Sequence, residues 1–84
     1  MQNKVLVEIY LPVVEVVRDA FIPINKYLGE VRTLLVKMVN EEAGFPYLIE
    51  EDCMIYNKET GDIYDLNKTV IETDIRNGSR LILL

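Results

Sequence analysis

Histidine is absent from all 84 residues, which removes the commonest general base and the commonest metal ligand together. Cys53 is the one cysteine, so no internal disulfide forms, and that suits a reducing compartment. Basic side chains are scarce: 9 Lys and Arg stand against 14 Asp and Glu, a net charge of −5. An acidic field repels phosphates, so nucleic-acid binding and attachment to anionic membranes are both disfavoured. Long apolar runs are missing too. Glu8 and Glu15 break the first one, no small-residue cleavage site follows, and nothing approaches the roughly 20 residues of a membrane span. These absences point to a cytoplasmic protein without membrane insertion. Gly29, Gly44, Gly61 and Gly78 are isolated from one another, so no phosphate-cradling loop is visible.

What is present suits one folded domain over residues 1–84. Half of the residues are apolar and 27% are charged, which supports a core and argues against disorder. Chains of this size bury only about 60–70% of their extended surface, so the apolar residues must be placed efficiently.

The segment Lys4 to Leu11 alternates. Val5, Val7, Ile9 and Leu11 share one face, and Leu6, Glu8 and Tyr10 the other, which predicts a strand. Pro12 interrupts it. Val16 to Ile22 predicts a second strand closed by Pro23, and Arg18 and Asp19 within it mark an edge. Its inward face is open on sequence grounds, with Ile22 the better choice for the core.

From Leu28 the spacing of Leu28, Val31, Leu34, Leu35, Met38 and Val39 predicts a helix with one buried stripe. Asn25 is its candidate N-cap, with a start nearer Tyr27 as the other option. Gly44 supplies a left-handed stop, and Pro46 prevents continuation. Residues 45–51 read as a connector. Asp52 to Asn57 predicts a third strand, residues 58–61 a turn, and Asp62 to Leu66 a short fourth strand. Asn67 to Arg76 reads as irregular or briefly helical. Asn77-Gly78 is a tight-turn signal before a final strand from Arg80 to Leu84.

The predicted class is α+β: a mixed five-stranded sheet in the order β-β-α-β-β-β, packed on one main helix. The right-handed crossover preference leaves few layouts. The last strand belongs at the sheet centre, parallel to the first, which explains its nearly all-apolar sequence.

That order resembles the ubiquitin-like β-grasp superfamily. The ending Thr69 to Leu84 (TVIETDIRNGSRLILL) is similar to the ubiquitin-like ending. Pro23, the helix stripe, Asn57-Lys58 and Asn77-Gly78-Ser79 together resemble the small YukD-like proteins, a family associated with type VII secretion loci in Gram-positive bacteria. Ubiquitin and the sulfur carriers use a flexible Gly-Gly tail, because only glycine threads the activating enzyme's channel. Here no glycine follows Gly78. With Leu84 as the natural end, a non-conjugated binding module is expected, as the resemblance to the YukD-like proteins also implies.

Catalytic chemistry finds little footing, and neither an enzyme nor a cofactor is expected. Cys53 lies between Asp52 and Met54, with Glu51 nearby, and acidic neighbours raise a thiol pKa. It reads as a small core residue. Glu41, Glu42, Glu50, Glu51 and Asp52 lack the spacing and turn glycine of a calcium loop and read as solvated charge.

The functional signal is a face. The alternation puts Leu6, Tyr10, Met54, Tyr56, Ile82 and Leu84 on the sheet surface away from the helix, and Val13 and Val14 add apolar surface in the first turn. Contiguous apolar area of this kind marks a protein partner, and ubiquitin-like domains are recognised on this same face. Core packing alone explains the helix stripe. Two other readings remain open: a modifier or sulfur carrier lacking its Gly-Gly tail, and a homodimer whose outer faces pack together about a two-fold axis.

Overall fold

The computed structural model describes residues 3–45 and 48–84. β1 (Lys4–Leu11) forms where the alternation is strictest: Val7, Ile9 and Leu11 are buried, and the residues between them face outward. β2 (Val16–Pro23) returns antiparallel along all of it, from Lys4 opposite Pro23 to Leu11 opposite Val16. The Ile24 amide donates to the Asn3 carbonyl at 2.9 Å, so the hydrogen-bonded pairs fall on the odd residues of β1. Pro23 therefore takes a non-bonded place as the last residue of the strand, where its missing N–H loses no ladder bond. Ile22 and Ala20 are buried, which turns Val17, Asp19 and Phe21 outward. Between the strands, Glu15 adopts a left-handed φ of 53°.

α1 (Leu28–Ala43) lies across the inner face. Tyr27 is its N-cap, without a side-chain cap bond, rather than Asn25. The first amides are met instead by backbone: Leu28 donates to the Lys68 carbonyl at 2.8 Å and Gly29 to the Leu66 carbonyl at 3.0 Å. At the other end Gly44 takes a left-handed φ of 65°, and its N–H reaches the Asn40 and Glu41 carbonyls. The part assigned to Pro46 lies outside the described residues.

The buried stripe differs from expectation at one position on each flank. Leu28, Val31, Leu35, Val36 and Val39 are buried, whereas Leu34 is 55% exposed. The cause is the connector. Asn40 accepts from the Ile49 amide at 2.9 Å and donates to its carbonyl at 3.1 Å, while Arg32 donates to the Cys53 carbonyl at 3.2 Å. These bonds hold buried Ile49 and Cys53 on the Val36 side. The helix thus buries that flank and leaves Leu34 beyond the edge of β2.

β3 (Ile55–Asn57) is shorter than the expected 52–57, although Met54 and Leu84 exchange backbone bonds of 2.9 and 3.0 Å beyond its end. β4 (Arg80–Leu83) runs at the centre, parallel to β1 and antiparallel to β3. Among the described residues the sheet has four strands, in the order β2-β1-β4-β3, and β2 is an edge. The fifth strand expected at 62–66 is a correction. Only a bridge from Ile63 to Tyr56 forms, because the chain then turns away to offer the Leu66 and Lys68 carbonyls to the helix start. A single 3-10 turn, Val70–Glu72, follows; a Thr69–Glu72 capping box closes it, and Val70 anchors it in the core. The Asn77-Gly78 turn forms as predicted, with Gly78 at φ 87°.

Candidate protein interface

The outer sheet face is ordered into rows by strand register. In the β1–β2 pair its residues occupy the non-bonded positions, where side chains approach most closely. Across the parallel pair Glu8 stands beside Arg80 and Tyr10 beside Ile82; across β3–β4, Tyr56 stands beside Ile82. One row is therefore apolar across all four strands: Val17, Tyr10, Ile82, Tyr56. The row above it is charged: Asp19, Glu8 and Arg80, completed by Lys58, whose amide donates to the Arg80 carbonyl at 3.0 Å. Leu6 and Phe21 form a further apolar pair beyond the charges.

Five of the eight residues singled out from sequence lie on this face, Leu6, Tyr10, Tyr56, Ile82 and Leu84, whereas Met54 sits at the β3 edge with its sulfur 3.9 Å from Arg32 Nη1 of the helix. Leu84 is 61% exposed and Leu6 38%, while Tyr10, Met54, Tyr56 and Ile82 are half-buried. Lys58 sits over the Tyr10 ring, with Nζ 4.8 Å from its centroid, a cation–π contact that covers part of the row. Arg80 reaches sideways to Glu59 at 3.2 Å. Leu6 is held in place by the last turn, since Asn77 Oδ1 accepts from its amide and Gly78 donates to its carbonyl, both at 2.8 Å.

The two turn valines part company. Val13 borders a pocket of about 290 Å³ with Leu48, Cys53, Leu83 and Leu84, at the lower end of the sheet. Val14 faces the other way, toward the helix end, lining a hollow with Val39, Ala43 and Leu48. Val17 and Phe21 were missed by the sequence reading. The signal was available, because placing Ile22 inside places both of them outside. Phe21, 67% exposed, also borders a groove of about 240 Å³ between the β2 edge and the helix, with exposed Leu34 and half-buried Met38.

Reactive groups lie elsewhere. Cys53 is buried; burial pushes its thiol up, with Asp52 adding to the rise and the nearby Arg32 charge opposing it. Among the described residues no three His, Cys, Asp or Glu gather as a metal site. Among them, too, no helix is long and apolar enough to cross a membrane.

This strand order, with a parallel central pair and one helix across the inner face, recurs in solved structures. The EccD5 ubiquitin-like domain from Mycobacterium xenopi superposes with a TM-score of 0.79 at 20% identity, over 99% of this chain and 94% of that one. The chain has the ubiquitin-like fold. Caldiarchaeum subterraneum ubiquitin superposes with a TM-score of 0.72 at 17% identity, covering 95% of this chain and 90% of the other. A chain of the MycP5-free ESX-5 inner membrane complex matches with a TM-score of 0.79 at 19% identity; it covers 99% of this ubiquitin-like chain, which spans 21% of its length. No protein-family profile and no curated protein matches the sequence.

Proposed function

We propose that this chain is a non-catalytic ubiquitin-like module that binds another protein through its outer sheet face. Its setting is an accessory or regulatory place in a type VII-like secretion apparatus, on the cytoplasmic side. The observation that carries the binding role is the apolar row Val17, Tyr10, Ile82 and Tyr56, which runs across all four strands on the face away from the helix. Side chains of this kind, extended by Leu84, form the anchor set that protein interfaces favour. Support for the setting comes from the similarity in fold to EccD5 and to a chain of the ESX-5 inner membrane complex, together with the sequence resemblance to YukD-like proteins.

The test is affinity capture from the native host with the wild-type chain and Ile82→Glu. Ile82 is half-buried on the solvent side, so the variant keeps its fold, as circular dichroism will verify. Recovery of a secretion-apparatus component by the wild type, and its loss with Ile82→Glu, is the expected result. Equal recovery by both forms places the interface elsewhere, and recovery of no such component by either defeats the reading.

A further inference from the structure

The charged row has a polarity that the apolar rows beside it lack. Read across the sheet from β2 to β3 it runs Asp19, Glu8, Arg80, Lys58: two acids on one half and two bases on the other. Glu8 and Asp19 oppose each other at a non-bonded antiparallel position, where side chains are closest and like charges destabilise the pair. No ion pair within the chain joins either of them to a base among the described residues. Arg80 is engaged with Glu59 at the rim, both of them exposed, and Lys58 lies over Tyr10. An isolated chain thus carries an opposed acidic pair between the apolar rows of its outer sheet face.

We infer that the occupant of this face is a second copy of the same chain, related by a two-fold axis that runs along the strands between β1 and β4. This rests on the binding role proposed above: in the free protein the second copy covers the face that the other partner uses, so the two compete for it. Such a rotation lays the acidic half of one sheet on the basic half of the other. Glu8 meets Arg80 of the second copy and Asp19 meets its Lys58, each pair occurring twice. The same operation keeps rows in register along the strands, so Tyr10 falls against Ile82 and Val17 against Tyr56. The strands of the two sheets stay nearly aligned, the usual arrangement of face-packed sheets. An axis across the strands instead sets acid on acid, or charged row on apolar row. Only the axis along the strands satisfies both rows, and an isologous dimer needs that self-complementarity.

Sedimentation equilibrium from micromolar to millimolar protein tests this with Glu8→Lys, Arg80→Glu and their equimolar mixture. The wild type is expected to dimerise, and each variant alone to associate roughly tenfold or more weakly, because like charges then face each other. The mixture should regain dimer as a heterodimer, since one variant carries only positive and the other only negative groups at the two positions. Asp19→Lys mixed with Lys58→Glu repeats the test at the outer pair, should a first-pair variant fail to fold. A wild type that stays monomeric throughout, variants that dimerise as well as wild type, or a mixture that stays monomeric each overturn the inference. A monomeric wild type whose capture of a secretion component is still lost with Ile82→Glu overturns the dimer and leaves the binding role standing. Loss of both removes both.

Discussion

Tyr64 shows how a single side chain ties the irregular segment to the sheet. Its hydroxyl donates to Asp74 at 2.8 Å, and its amide donates to the Ile55 carbonyl at 2.9 Å. Burial, reinforced by the hydrogen bond to the Asp74 carboxylate, pushes its pKa up to about 12. An unfolded tyrosine ionises near about 10, so the neutral phenol favours the folded state. That contribution is fully present below pH about 10 and is lost as pH rises toward about 12. Urea titrations should show wild type losing more stability than Tyr64→Phe across that interval, and parallel losses would contradict the assignment. Other residue-level features differ in how far the sequence reveals them. Cys53 sits in the core, as its place in the expected strand suggested. The left-handed Glu15 carries no such signal, because nothing in its side chain favours that conformation.

At the scale of elements, the helix is where periodicity reached its limit. Spacing identified the segment and its glycine stop, yet it chose Leu34 over Val36 for the buried stripe. A helix face has no fixed boundary until its neighbours are placed, and here the Ile49–Cys53 connector packs on the Val36 flank. Leu34→Glu should therefore leave stability within about 0.5 kcal/mol, as surface changes do. Val36→Ala should cost about 1–3 kcal/mol through lost burial and a residual cavity. Chemical denaturation of the two variants decides between the stripes, and the reverse order would restore the simple spacing. The missing fifth strand has a similar cause. Residues 62–66 have strand-like composition, but the Leu66 and Lys68 carbonyls are committed to helix amides that lack a side-chain cap.

The whole molecule is organised by β4, the last strand in the chain and a central one in the sheet. Leu81 and Leu83 are buried between β1 and β3, and the parallel pairing with β1 joins residues far apart in sequence. Amide exchange should be slowest in β4 and in the β1 residues that pair with it, because their opening requires the whole core to open. The amides of β2 that face away from β1 should exchange fastest among the strands. Equal protection across the sheet, or early exchange in β4, would show that the fold is not centred there. This arrangement was legible in advance: a nearly all-apolar final segment suits a central strand, and the crossover preference leaves few layouts for it.

The sequence alone determined the identity of β1, β2, α1, β3 and β4, the central position of the last strand, and which residues of β1 and β4 face outward. A period of two assigns faces without reference to any neighbour. Tertiary structure decided the rest: the rotation of the helix, the fate of residues 62–66, and the separation of Val13 from Val14. It also set the charged row beside the apolar one. Those outcomes depend on register between strands and on which backbone groups meet, and neither is encoded in the spacing of residues along one segment.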